Sequence, residues 1–242
     1  MLSTVSPSPP KPVSEVWRPH LTRLPELTKR RLRWRKLWQL VSRLLIRWLT
    51  VAEVNGLENF PEQGPALIVT NHLGDADVPL GLAFLPVAPD GLAKAELYDY
   101  PVLGKLLDAY GVIWVHRGRP DRRALRAALQ GLAQGRFIAL APEGRQSVTG
   151  ALEEGAGGAA YLAWKAQVPV LPITFVGTED KNVYGSLKRF RKPKISLTIG
   201  KMFHLDPYPN RREAVRQGTH KIMRALARQL PPAYRGVYLF DV

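Results

Sequence analysis

The sequence contains no cysteine. Disulfides, thiolate metal sites and cysteine nucleophiles are therefore excluded, and a reducing compartment is permitted. Also missing is an apolar run long enough to cross a bilayer. The best stretch, Leu37 to Ala52, is interrupted by Arg43 and Arg47 and falls short of the roughly 20 residues a hydrocarbon core demands. The N-terminus lacks the apolar centre and small-residue cleavage pattern of a secretory signal. Met1 to Pro12 is instead Ser/Pro-rich, and residues 1–25 read as a disordered lead. There is no Gly-x-Ser-x-Gly nucleophile elbow. The five histidines are scattered, with no pair at ligand spacing, so no metal site is expected.

Acidic residues are the other scarce component. Lys and Arg number 35 against 20 Asp and Glu, a net charge of +15, so the partner is negatively charged: nucleic acid, anionic lipid or a phosphorylated substrate. No helix-turn-helix, zinc-finger or RNP-type signature accompanies the charge, and no nucleic-acid partner is expected. The bases cluster. From Lys29 to Arg47 there are eight Lys or Arg residues and no acid, while Trp34, Leu37, Trp38, Val41, Leu44, Leu45 and Trp48 recur at three- and four-residue steps. Arg35, Lys36, Gln39, Arg43 and Arg47 fall on or beside the other face. This is an amphipathic helix within residues 26–52. It either lies in a lipid headgroup layer or packs on the domain with a solvated basic back; the tryptophans and the missing acids favour lipid. A second basic cluster, Lys188 to Lys194, suits anionic headgroups, coenzyme A phosphates, an acidic carrier protein or a solvated loop.

Residues 53–242 alternate strand-like and helix-like stretches. Ala66–Thr70, Phe137–Ala141, Val170–Val176 and Ile195–Ile199 read as strands. Asp121–Gln134, with Asp121 as cap, Gly157–Gln167 and Arg211–Leu230 read as helices. The alternation predicts one α/β domain: a largely parallel central sheet with helices on both faces, its ligands near the carboxyl ends of the strands. The amphipathic segment precedes it.

The chemistry gathers behind the first of these strands. His72 ends a buried run and Asp77 follows five residues on. In a continuous helix those side chains would diverge by about 140°, so they meet only if His72 sits in a strand-to-helix turn and Asp77 in the first helical turn. Gly74 permits a tight turn, Asp75 is placed to cap the helix, and Pro79 is tolerated in its first turn. An aspartate bonded to one imidazole nitrogen raises the basicity of the other, as a general base requires. The spacing alone is common by chance; its context is not.

Residues 51–81, VAEVNGLENFPEQGPALIVTNHLGDADVPLG, closely resemble the first block of the glycerolipid acyltransferase family, whose best-known members acylate lysophosphatidate. Lys94-Ala95-Glu96-Leu97 and Pro101-Val102-Leu103-Gly104 look like its Lys-x-Glu-Leu and Pro-x-x-Gly elements. Gly111 to Arg117 resembles the second block, Ala141 to Ser147 the third and Val168 to Ile173 the fourth. The resemblance runs from about Val51 to Gly200. It implies transfer of a fatty acyl group from acyl-CoA or acyl carrier protein to a glycerol hydroxyl, with His72 as base, Asp77 as its orienting partner and no acyl-enzyme. The expected acceptor is a lysophospholipid, 1-acylglycerol 3-phosphate, and the expected product phosphatidate. The donor is a substrate, and no cofactor is expected. Lys94, Arg117 and Arg145 are candidate phosphate ligands, arginine matching phosphate with parallel donors. Glu143 and Gly144 belong to the same site, Gly144 letting backbone amides approach the ligand. An anionic membrane surface is the expected partner and the cytoplasmic face of the cell membrane the expected location. The third block departs from its family: Arg145 stands where threonine is usual and Gln146 where arginine is usual, which leaves another lysolipid or glycerol 3-phosphate as the alternative acceptor.

Overall fold

The computed structural model describes residues 9–118 and 120–241. Seven strands form a single sheet: β1 (Val51–Asn55), β2 (Ala66–Thr70), β3 (Asp90–Lys94), β4 (Ile113–Val115), β5 (Phe137–Leu140), β6 (Val170–Val176) and β7 (Lys194–Ile199). Their order is β1-β7-β6-β2-β5-β3-β4, and every neighbouring pair is parallel except β6 with β7. The carboxyl ends of β6, β2, β5, β3 and β4 therefore lie along one edge. The helices are α1 (Lys29–Leu49), α2 (Asp77–Phe84), α3 (Leu103–Tyr110), α4 (Arg122–Ala133), α5 (Gly158–Ala166), α6 (Asp180–Leu187) and α7 (Arg211–Gln229).

Strand alternation divides the core between the two faces. Leu67 and Val69 of β2 pack with Ile138 and Val170 against α4, α5 and α7. Ala66 and Ile68 point the other way, joining Leu171, Ile173 and Phe175 against Leu80 and Ala83 of α2 and Val183 of α6. This is the expected α/β sandwich with a mostly parallel sheet. The expected strands and helices at β2, β5, β6, β7, α4, α5 and α7 are present, and Asp121 caps α4 through the amides of Arg123 and Ala124.

α1 departs from the reading in which its apolar stripe packs on the domain: Arg31, Arg35, Gln39 and Arg43 reach the domain, with Trp38, Ser42 and Ile46, and most of the apolar stripe faces out. The reason lies at the ends of two other helices. A helix C-terminus leaves carbonyls without intrahelical donors. Arg31 donates to the carbonyls of Asp108 and Ala109, and Arg35 to those of Tyr110 and Gly111, all at the end of α3. Arg35 also stacks on the Tyr110 ring, 4.7 Å from its centroid. Gln39 donates to the carbonyl of Leu85 and Arg43 to that of Ala83, at the end of α2. Cations at helix C-termini also complement the macrodipole. With this face committed inward, Leu37, Leu40, Val41, Leu44, Leu45, Trp48 and Leu49 are exposed, Trp48 to 70%.

The lead expected to be disordered through residue 25 is instead, from Pro9 onward, an irregular strap fixed to the domain by hydrogen bonds that composition does not reveal. Ser14 pairs with Arg117 in both directions, its amide donating to the Arg117 carbonyl at 3.0 Å and its Oγ accepting the Arg117 amide at 2.7 Å. The Arg18 amide donates to His116 Nε2 at 2.9 Å. Residues 1–8 of that lead lie outside the described residues.

Arg35 is also ion-paired with Asp90, both being almost fully buried. Removing one partner of such a pair strands the other charge in the interior, at a cost of about 3–5 kcal/mol. Arg35→Met should therefore lower stability by about that amount in urea unfolding. A loss under about 1 kcal/mol would mean that the pair holds nothing together.

Candidate active site

His72 lies two residues beyond β2, and Asp77 is the first residue of α2. His72 Nδ1 is 2.7 Å from Asp77 Oδ2, which also accepts the amides of Leu73 at 2.7 Å and Gly74 at 3.1 Å. A carboxylate oxygen accepting two amides is an acceptor toward the ring as well, so Nδ1 carries the proton and Nε2 presents a lone pair. The His72 side chain is 33% exposed against 5% for Asp77, so the ring is open to a substrate while its partner is enclosed. The turn is tight because Gly74 approaches the α6 end of β6: a Cβ there would lie 2.2 Å from the Thr178 carbonyl oxygen. Asp75 does not cap α2. It accepts the Tyr184 hydroxyl, and its amide donates to Asp180.

The loop after β5 holds the His72 turn from the other side. Glu143 Oε1 accepts the His72 amide at 3.3 Å, the Ser147 amide donates to the His72 carbonyl at 2.7 Å, and Gln146 donates to the Leu73 carbonyl and to Asp180. Asn71 closes the arrangement through its side-chain amide, which exchanges two hydrogen bonds with the backbone of Phe175 in β6. Asn71 and Gln146 fall within the family blocks, but the backbone they hold was not legible from sequence, and Asp180 did not stand out at all. Their partners are up to 105 residues away, and only the sheet brings them together.

Burial pushes the His72 imidazole down, but the hydrogen bond and charge of Asp77, with Glu143 and Asp75 behind it, outweigh that and hold it above 6.5. Glu143 is raised to about 7, chiefly because burial penalises its charge, with Glu153 adding repulsion against the amides of Glu153 and His72 that favour the ionised form.

The remaining candidates are distributed along the sheet edge. Lys94 ends β3, and Arg117 lies two residues beyond β4. Glu96 sits with them. Burial raises it, yet the Ser14 hydroxyl, its own backbone, Arg117 and Lys94 together keep it below the usual carboxylate range. Arg117 Nε is buried without a hydrogen-bond partner among the described residues. β5 separates these two cations from the strand that carries His72. Gly144 adopts φ +72°, a left-handed turn that favours glycine, and its amide donates to the Ala141 carbonyl rather than standing free. Arg145 is buried. Its Nε donates to Glu153 at 2.7 Å and its terminal nitrogens to the carbonyls of Pro9 and Pro10 in the strap.

With this geometry in place, the chain's residues 51–176 match the family model described as Acyltransferase. The chain belongs to the acyltransferase family. It is 31% identical over 146 residues to a chloroplastic 1-acyl-sn-glycerol-3-phosphate acyltransferase of Brassica napus, a match covering 59% of this chain and 41% of the plant protein. A probable 1-acyl-sn-glycerol-3-phosphate acyltransferase of Mycoplasma pneumoniae is 30% identical, over 73% of this chain and 68% of its own length. The chain thus spans less than half the length of its plant relative. Among solved structures it shares its fold with the 1-acyl-sn-glycerophosphate acyltransferase PlsC of Thermotoga maritima, at a TM-score of 0.63 and 24% identity over 84% of each chain. The family match begins at β1 and ends at β6, so it contains every strand from which His72, Lys94, Arg117 and Glu143 project.

The acid limb of a pH–rate profile that depends on neutral His72 should lie above the ordinary imidazole value of 6.5. Asp77→Asn removes what raises it, so the limb should move to lower pH while the rate falls by about 10²–10⁴-fold. A limb that stays in place would assign it to another group, Glu143 being the first to examine.

Proposed function

We propose that the chain transfers a fatty acyl group from a thioester, acyl-CoA or acyl carrier protein, to the free hydroxyl of 1-acylglycerol 3-phosphate, giving phosphatidate. The observation that carries this reading is the dyad: an imidazole whose Nδ1 is held by a buried carboxylate at 2.7 Å and whose other nitrogen faces an open edge. His72 Nε2 takes the proton of the acceptor hydroxyl as its oxygen attacks the thioester carbonyl. Asp77 stabilises the imidazolium that forms. The carbon–sulfur bond then breaks, and the departing thiolate leaves as the thiol with the proton returned from His72, so ester and thiol are the only products and no enzyme-bound acyl group arises. The relatives' named activity supports lysophosphatidate as acceptor, and Lys94 and Arg117 at the same sheet edge are the cations that suit its phosphate.

The acceptor and the acyl chain are amphiphiles, and α1 supplies a surface for them. No described helix is long and apolar enough to cross a membrane. The exposed row from Leu37 to Leu49 supports a reading in which α1 enters the headgroup region while its basic flanks Lys36 and Arg47 meet anionic lipid; on that reading the enzyme works at the cytoplasmic face of the cell membrane.

Two experiments test these readings. His72→Ala should lose at least about 10²-fold in acyl transfer to lysophosphatidate while retaining the wild-type unfolding transition; an active variant, or a wild-type enzyme inactive on lysophosphatidate, glycerol 3-phosphate and neutral or amino lysolipids alike, refutes the reaction. The double variant Leu44→Glu, Trp48→Glu changes only exposed positions. It should stay folded and no longer float with anionic liposomes, whereas undiminished flotation would show that α1 is not the membrane contact.

A further inference from the structure

The connection from β6 to β7 contains a turn that puts two penalties on one residue. α6 closes through a left-handed cap: the Phe190 amide donates to the Leu187 carbonyl at 2.9 Å and the Arg191 amide to the Ser186 carbonyl at 3.0 Å. The position that such a cap holds in the left-handed region is usually glycine. Here it is Phe190, at φ 55°. A Cβ in that region is crowded by the following carbonyl oxygen. The side chain is also 100% exposed, so its ring recovers nothing by burial. Folding gives no reason for phenylalanine at this position.

The residues around it are basic. Lys188, Arg189, Arg191, Lys192 and Lys194 are all exposed, no acid stands among them, and among the described residues none of the five forms an ion pair. A hydrated loop would account for the bases but not for the ring. An exposed aromatic ring within a collar of unpaired cations has the chemistry of a lipid interface, where the ring enters the acyl boundary and the cations meet phosphate headgroups.

The turn stands at the edge of the sheet that carries His72. β6 runs parallel to β2, so both end there, and β7, antiparallel to β6, begins there. β7 is two strands from β2, roughly 10 Å at ordinary spacing. β1 begins beside β7: Val51 is in register with Lys194, and its amide donates to the Pro193 carbonyl at 2.9 Å. Only Thr50 separates Val51 from the end of α1. The exposed row of α1 thus runs through Trp48, Leu49 and Val51 to the place where the basic turn joins the sheet. At its other end α6 holds the His72 turn, Asp180 accepting the Asp75 amide and the Gln146 side-chain amide.

We propose that Phe190 and the bases around it form a second contact with an anionic bilayer surface, one that continues the α1 contact proposed above and rests on that reading. A single helix lying in a headgroup layer is free to roll about its long axis. A second point beyond its end removes that freedom. It turns the carboxyl edge of the sheet, with the open His72 ring, toward the layer that holds an amphiphilic acceptor.

The test is partition of the full chain onto vesicles of phosphatidylcholine mixed with phosphatidylglycerol. Phe190→Gly should lower the partition coefficient about tenfold, the loss of one buried aromatic side chain. Phe190→Trp should keep it within about threefold of wild type. The double variant Arg189→Gln, Lys192→Gln should lower it at least about tenfold at low ionic strength, the difference shrinking as salt is added. Urea unfolding separates contact from folding: glycine relieves the left-handed backbone, so Phe190→Gly should unfold at an equal or higher urea concentration than wild type. Undiminished partition of Phe190→Gly overturns the proposal, and a KM raised for acyl carrier protein alongside it would make that acidic protein the partner instead. A lowered unfolding midpoint also overturns it, by giving the ring a packing role. The α1 reading is scored separately by Leu44→Glu, Trp48→Glu: partition lost there but kept in Phe190→Gly leaves α1 as the contact without Phe190, and the reverse keeps Phe190 and removes α1. A wild type that does not partition overturns both.

Discussion

The inward face of α1 is the constraint on which the rest of the molecule depends. Two short helices, α2 and α3, both end against α1 with their last carbonyls lacking intrahelical donors. Arg31, Arg35, Gln39 and Arg43 supply those donors from one side of a single helix. Leaving such groups unpaired in a water-poor interior costs on the order of 1–3 kcal/mol each, so the polar side of α1 has a strong reason to turn inward. Apart from Ile46 and Trp38, which reach the core, the long apolar side chains from Leu37 to Leu49 are then outside. The exposed Leu/Trp row is the geometric remainder of a capping arrangement and requires no separate cause.

The site follows the logic of parallel sheets, in which loops at the carboxyl ends converge. Asp77 is the first residue of α2. Its one oxygen collects the ring and two backbone amides, so the carboxylate shapes the turn and orients the imidazole at once. The β5 loop supplies the opposing half: Glu143 and Ser147 bracket the backbone of His72 by its amide and its carbonyl. The imidazole can move only about its own side-chain bonds. That is the kind of preorganisation a proton transfer needs.

Some of this was legible in the residues. β-branched runs such as Ala66–Thr70 and Val170–Val176 cannot be solvated helices, and Asp121 before an Ala/Leu stripe marks a helix start. β3 was not legible: Asp-Gly-Leu-Ala-Lys has little strand character and is held by its neighbours rather than by its composition. Periodicity located the two faces of α1 but could not say which meets the core, because that is decided by carbonyls 40 to 78 residues away in other elements. The dyad was readable because both members lie within one turn. The partner of Arg145 was not, since Glu153 returns through an irregular loop and Pro9 and Pro10 come from the far N-terminus.

α2 is only eight residues long, yet its two ends answer to different surroundings. One end presents Asp77 to the His72 ring; the other is closed by Gln39 and Arg43 of the helix whose outer row is bare. At 1.5 Å per residue the two ends are about 12 Å apart along a rigid rod. The apolar-faced helix is therefore no detachable tail: removing it would uncap the ends of α2 and α3. Whatever grips its outer face holds the helix that closes one end of α2, and the other end of that same short rod carries the carboxylate bonded to His72.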